Sequence, residues 1–123
     1  MYICKHIHEY LVKHNSVIVP DLGCFTVVNK PSVNGIPVKT VELDWENNDD
    51  DSILTSYIAK KENITKEQAV ENVRKFYKQF IIFAYKRDIE LEFEKFGKFL
   101  MNATNDIVFI PVVNFFEKNL YES

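Results

Sequence analysis

Glu94-Lys95-Phe96-Gly97-Lys98-Phe99 is the stretch whose reading decides the fold of this chain. Before it, Ile89, Glu90, Leu91, Glu92 and Phe93 alternate apolar and charged residues, the period of a half-buried strand. After it, Leu100 to Ala103 follow, so Gly97 stands where one strand turns into the next. A glycine there takes φ > 0 without strain, and the aromatic residues on either side anchor the turn to a core. The same device occurs earlier, in Val17-Ile18-Val19-Pro20-Asp21-Leu22-Gly23-Cys24-Phe25. Leu22-Gly23-Cys24-Phe25 and Phe96-Gly97-Lys98-Phe99 share one order: large apolar residue, glycine, any residue, phenylalanine. Gly23, Phe25, Gly97 and Phe99 therefore read as the structural turn positions of an internal duplication.

Outward from these turns, Tyr2 to His14 has the pattern of an amphipathic helix, with Ile3, Ile7, Tyr10 and Leu11 on one stripe and Lys5, Glu9 and Lys13 elsewhere. Asn15-Ser16 ends it. Val17–Val19, Phe25–Val28 and Val38–Leu43 read as three strands, the last two separated by a loop holding Pro31, Asn34-Gly35 and Pro37. The acidic run Glu46 to Asp51 suits a helix N-terminus, where carboxylates accept backbone N–H bonds. A calcium loop is the competing reading, but the mid-loop glycine and the distal glutamate are missing. Ile53, Leu54, Tyr57 and Ile58 give the next helix its buried face, to about Lys61. Thr65 with Gln68 has capping-box spacing and opens the longest element. Its apolar positions run from Ala69 to Ala84, and continued to Arg87 it would be ~34 Å long. Beyond the strands around Gly97 lie a tight polar turn at Asn102–Asp106, a strand Ile107–Ile110 ended by Pro111, and a short helix from Asn114 to Leu120 with Phe115 and Phe116 inward.

A length of 123 residues suits one domain or two small halves sharing a core. The boundary falls at the acidic run: residues 1–48 hold a helix and three strands, and residues 49–123 hold two helices, three strands and the last short helix. Both halves are α+β. Polar residues through the first twenty positions exclude a secretory signal there, and no apolar run approaches the ~18 residues of a membrane span. The expectation is a soluble, cytoplasmic protein. Cys4 and Cys24 fit a reducing compartment as small core residues, with a disulfide as the alternative. Charge is uneven: residues 1–51 hold four Lys or Arg against eight Asp or Glu, and residues 52–123 hold eleven against ten. A protein that relies on phosphate contacts is usually basic, and the formal net charge here is −3.

Few residues invite a chemical reading. Cys4 and His8 are four apart on a helix, but no second ligand pair follows, so a core thiol and a surface histidine are expected. His6 and His14 have no recognisable partner. Glu90, Glu92 and Glu94 share a strand face, which reads as a solvated sheet surface rather than an acid–base pair. No nucleophile motif and no glycine-rich phosphate loop is present. The reading is a non-enzymatic protein with no catalytic residue, cofactor or metal. Lys60, Lys61, Lys66, Arg74, Lys75 and Lys78 form the densest basic group, interleaved with Glu62, Glu67 and Glu71, as on a solvated helix.

Residues 52–121 resemble the HU/IHF-type bacterial DNA-bending proteins. The carriers are Asn63-Ile64-Thr65-Lys66-Glu67-Gln68-Ala69 at a helix entry, Phe96-Gly97-Lys98-Phe99 at the turn, and Phe109-Ile110-Pro111 before the last helix. The first half is similar to a shorter HU-like pattern through Val17 to Phe25, with one residue inserted before Pro20, followed by Lys30-Pro31. Together the halves resemble the bacterial two-module HU-like family, related to the HU domains of a eukaryotic coiled-coil protein. That resemblance implies two HU-like halves packed as an intramolecular pseudo-dimer, hence a monomer. It also implies nucleoid-associated binding of double-stranded DNA at low sequence specificity, and by analogy with relatives a role in anchoring the chromosome.

Two departures bear on that function. The family reads Gly-Phe-Gly at the turn, where this chain has Asp21 and Lys95 in place of the first glycine. The long basic arms that wrap DNA are also short here: Asn102-Ala103-Thr104-Asn105-Asp106 has no Lys or Arg, and the Asn29–Val38 loop has only Lys30. The resemblance places DNA contacts on the sheets, at Lys95 and Lys98 beside the second turn and at Lys30 and Lys39 around the first-half loop. Arg74, Lys75 and Lys78 are the alternative basic surface. A protein-interaction module on the same scaffold is the alternative function, favoured by the acidic first half and the short arms.

Overall fold

Asn15 shows how sequence sets the first element: its φ of 67° is left-handed, and its N–H donates to Leu11 O at 2.9 Å, ending the helix α1 (Tyr2–His14). The computed structural model describes residues 2–31, 35, 37–86, 91–93 and 95–112. After α1 come β1 (Ser16–Val19), β2 (Gly23–Lys30) and β3 (Val38–Asp44), then α2 (Ile53–Glu62) and α3 (Lys66–Ala84), then β4 (Leu91–Phe93), β5 (Gly97–Met101) and β6 (Ile107–Pro111). The chain is thus α+β, with two three-stranded antiparallel sheets in the orders β1-β2-β3 and β4-β5-β6. Among the described residues no helix is long and apolar enough to cross a membrane.

The two sheets repeat one another register for register. Val19 pairs with Gly23 and Phe25 with Leu43; Phe93 pairs with Gly97 and Phe99 with Phe109. Each hairpin closes through one bond, Leu22 N–H to Val19 O at 3.0 Å and Phe96 N–H to Phe93 O at 3.3 Å. Asp21 and Lys95 have φ of 68° and 67°. The glycines that follow are required by close approach as well as by φ. A Cβ on Gly23 would lie 2.6 Å from Asp44 O, and one on Gly97 would press into the Phe109 ring and lie 2.8 Å from Ile110 O.

One aromatic cluster joins the sheets. Phe25 lies against Phe96 at 5.2 Å, Phe109 at 5.4 Å and Phe99 at 6.4 Å, all edge-to-face. Phe80 brings α3 into the same cluster, 4.8 Å from Phe99 and 5.8 Å from Phe93. Edge-to-face packing sets the positive ring edge against the negative face, adding about 0.5–1.5 kcal/mol per pair to area burial. Ile3, Ile7 and Leu11 of α1, Val17 and Val19 of β1, and Leu54 and Ile58 of α2 complete one continuous core.

The helix ends follow from their chemistry. Gln68 N–H donates to Thr65 Oγ1 at 3.1 Å and Thr65 N–H to Gln68 Oε1 at 2.9 Å, the reciprocal box expected from the spacing. α3 ends at Ala84, short of the expected Arg87, because Tyr85 leaves helical geometry and Lys86 N–H tightens onto Phe83 O at 3.1 Å. At the entry to α2, Asp50 Oδ1 accepts from Ser52 N–H at 2.7 Å and Asp51 Oδ1 from Ile53 N–H at 3.0 Å. Only the end of the acidic run serves that helix. Pro111, expected just outside its strand, is the last residue of β6, where an edge position asks for no N–H on the open side. The expected helix from Asn114, with Phe115 and Phe116, lies outside the described residues.

Three histidine expectations are corrected. His6 is buried, and its Nε2 lies 3.0 Å from Glu62 Oε1, tying α1 to the end of α2. His14 packs its ring 4.3 Å from that of Tyr10, and His8 is half-buried rather than on the surface. Tyr10 and His14 are four apart on α1, a spacing visible in the sequence, whereas the His6–Glu62 contact between two helices leaves no mark in local spacing. Cys4 and Cys24 are both buried, and no disulfide joins them.

Candidate nucleic-acid interface

Alternation along β5 and β6 divides the second sheet. Phe99 and Phe109 face the core, so Lys98, Leu100, Val108 and Ile110 face outward. Glu92 stands opposite Lys98 on β4, and Ile110 stands opposite it on β6. Lys95 is exposed at the tip of the turn, while Lys98 is half-buried. Together they border a concave surface of ≈ 450 Å³ that also includes Gly97, Ile110, Pro111 and Val112. Lys95 and Lys98 are thus brought together, with Glu92 on the same lining as a counter-charge.

The first half reaches this region through Val112, which links two hydrogen bonds in series. Val112 N–H donates to Phe96 O at 3.1 Å, and Thr40 Oγ1 donates to Val112 O at 2.6 Å. Val112 therefore clamps the second turn to β3, next to Lys39, which is exposed and paired across the ladder with Asn29. Lys30, opposite Val38 near the outer end of the β2–β3 ladder, lines a neighbouring groove of ≈ 470 Å³ with Glu42, Trp45, Val108 and Pro111. Pro111 belongs to both linings, so the grooves adjoin at the end of β6. The arms are short on the described side: β5 and β6 pair no further than Met101 with Ile107. Asn102 Oδ1 closes their turn, accepting from Thr104 Oγ1 at 2.8 Å, Asp106 N–H at 2.9 Å and Thr104 N–H at 3.0 Å.

Arg74, Lys75 and Lys78 are exposed along α3. Arg74 donates to Glu71 Oε2 at 3.2 Å, an i,i+3 pair on the exposed face of the helix. Among the described residues no group of three His, Cys, Asp or Glu side chains could hold a metal ion.

Sequence reasoning passed over a second cavity, at the opposite end of β6. It measures ≈ 330 Å³ and is bordered by Asp21, Trp45, Asn48, Tyr77, Tyr85 and Asp106, over a floor that includes Phe80. Trp45 is the sole tryptophan, next to the acidic run, and that was the available signal; in the structure it follows β3 directly and is 39 % exposed. Burial, reinforced by the nearby Asp21 carboxylate, holds the Tyr77 phenol above its ordinary range.

Comparison with protein-family models, with curated proteins and with solved structures finds no match for this chain.

Proposed function

We propose that the protein is a non-enzymatic, HU-like DNA-binding module in which two HU-like halves form an intramolecular pseudo-dimer with short β arms. The observation that carries this reading is the matched pair of hairpins, alike in register, closing bond and turn dihedral, whose Phe25 and Phe99 meet in one core. Each half alone would leave that aromatic face open, so one chain supplies both halves and acts as a monomer. DNA contact falls to Lys95 and Lys98, assisted by Lys30 on the adjoining groove across Pro111 and by Lys39 on β3. Lysine meets phosphate as a point charge, so sequence specificity is low and the site is chromosome-associated rather than operator-like. With about four phosphate contacts, log K should fall against log salt with a slope near −3.6.

Titration of a mixed-sequence duplex at several salt concentrations tests the reading. Binding at low salt with that shallow slope supports it, and absence of binding at low salt rejects it. Reversing Lys95 and Lys98 to Glu should weaken binding to every sequence tried. Binding that survives this change but is lost on reversing Arg74, Lys75 and Lys78 moves the surface to α3 and rejects docking on the sheets.

A second reading, a protein-interaction module, has its own observation. The outward positions of β5 and β6 beyond Lys98 are Leu100, Val108 and Ile110, all apolar, and Ile110 is 39 % exposed. A DNA-facing sheet gains nothing from that row, whereas a protein partner would bury it.

A further inference from the structure

The cavity at the Ile107 end of β6 has a composition unlike the lysine-bearing grooves. Its walls combine Trp45, Tyr77 and Tyr85 with the carboxylates of Asp21 and Asp106, and among its described lining residues none is Lys or Arg. Several elements build it: the first turn supplies Asp21, the segment after β3 supplies Trp45 and Asn48, α3 supplies Tyr77 with Tyr85 just beyond its end, and the β5–β6 turn supplies Asp106. The walls other than Tyr85 are held in place. Asp21 N–H donates to Asn48 O at 3.0 Å, Asn48 Nδ2 donates to Trp45 O at 3.1 Å, and Trp45 meets the buried Phe99 ring edge-to-face at 5.7 Å. Tyr77 is stacked on Phe80, and Asp106 Oδ2 accepts from Thr104 Oγ1 at 2.9 Å.

Three chemical facts narrow the ligand. Two carboxylates, with no cation among the described lining residues, repel phosphate, so the site does not extend the surface at Lys95 and Lys98, which lies ~13 Å away along β6 at ~3.3 Å per residue. Lys30 is nearer, on a groove that shares Trp45 and Ile107 with this cavity. Among the described residues no group of three His, Cys, Asp or Glu could hold a metal ion, and two carboxylates are too few to encage a divalent ion. At ≈ 330 Å³ the space is at the lower limit for organic ligands, about 300 Å³, and suits one side chain rather than a cofactor. What remains is an organic cation. Aromatic faces attract cations through the ring quadrupole, and a planar guanidinium can both stack on a ring and bridge carboxylates.

We propose that Trp45, Tyr77, Tyr85, Asp21 and Asp106 form a receptor for an arginine side chain presented by a partner protein. This site is separate from Lys95 and Lys98 and does not depend on DNA binding.

The test uses an acetylated, amidated Gly-Ser-Arg-Gly-Ser peptide and its citrulline counterpart, which keeps shape and loses charge. Trp45 fluorescence and backbone amide NMR shifts read the titration. The arginine peptide should give saturable shifts at Trp45, Tyr77 and Tyr85, with the citrulline peptide about tenfold weaker or worse. Asp21→Asn combined with Asp106→Asn should weaken binding about tenfold. Asn accepts the left-handed backbone at position 21, so the fold is kept. Tyr85→Leu, at an exposed position, should weaken it several-fold. Lys95→Glu with Lys98→Glu should leave it unchanged. Absence of saturable shifts at those three residues, equal binding by the citrulline or a lysine peptide, or indifference to the Asp variants would each overturn the proposal.

Discussion

Asp21 and Lys95 hold the same left-handed backbone, φ 68° and 67°, at equivalent points of two hairpins, and they carry opposite charge. The geometry of the turn has been kept while its chemistry has diverged: Asp21 borders the aromatic cavity and Lys95 borders the lysine groove. A left-handed residue with a Cβ costs roughly 1–2 kcal/mol, less for Asp, whose short polar side chain suits that region. Lys95→Gly should therefore stabilise the fold by about 0.5–1 kcal/mol once the added freedom of the unfolded chain is counted, and Asp21→Gly by less. Urea denaturation of the two variants checks the order.

The glycines two residues on should behave in the opposite way. Alanine at position 97 drives its methyl group into Phe109, and alanine at position 23 drives it against Asp44 O, which is backbone and cannot turn aside. Each substitution should cost roughly 2–3 kcal/mol, as overpacking in a filled core does. A loss under about 0.5 kcal/mol by denaturation would show that the neighbouring strand yields more easily than its packing implies.

These turns also show how far the sequence carries the fold. The spacing of Leu22, Gly23 and Phe25 against Phe96, Gly97 and Phe99 is local, and it returned both hairpins. Thr65 with Gln68 is local too, and it returned the start of α3. The Tyr2–His14 stripe returned α1 with the same bounds. What stayed hidden is non-local. His6 meets Glu62 across 56 positions, and Thr40 meets Val112 across 72, so no period in either segment announces the contact. The end of α3 was overrun because Tyr85 and Lys86 continue its pattern while the backbone has already tightened. Lys95, Lys98, Lys30 and Lys39 were chosen by position in a repeated scaffold, whereas the aromatic cavity draws one or two residues from each of several segments and has no linear signature.

Tyr57 gives the fold a dependence on alkaline pH. Burial first, then its hydrogen bond to Glu9 Oε2 at 3.0 Å and the charge of that carboxylate, push the phenol up to about 12 from 10.0. The folded state thus keeps a proton that the unfolded state begins to release near pH 10. The stabilisation from this group is complete below pH 10 and is lost as pH rises toward about 12. Tyr57→Phe should remove that part of the slope and cost about 1 kcal/mol at neutral pH through the lost hydrogen bond. Comparing denaturation of the two proteins between pH 8 and pH 12 isolates the effect from the lysines that titrate in both.

Phe25 tests whether the two halves are one cooperative unit. Its ring belongs to the first sheet, yet its aromatic neighbours Phe93, Phe96, Phe99 and Phe109 all belong to the second. Truncation to alanine should cost about 3–5 kcal/mol, a large part of the 5–15 kcal/mol that holds a domain folded, so leucine is the better probe. In Phe25→Leu, Trp45 fluorescence reports the packing of the end of β3 on Phe99, and far-UV circular dichroism reports the helices, of which α2 and α3 belong to the second half. Both signals should move to lower denaturant together and remain superimposable, because the lost contacts are shared by both sheets. Two separated curves, with the Trp45 signal moving alone, would mean that each half keeps a core of its own and that the aromatic cluster only docks them.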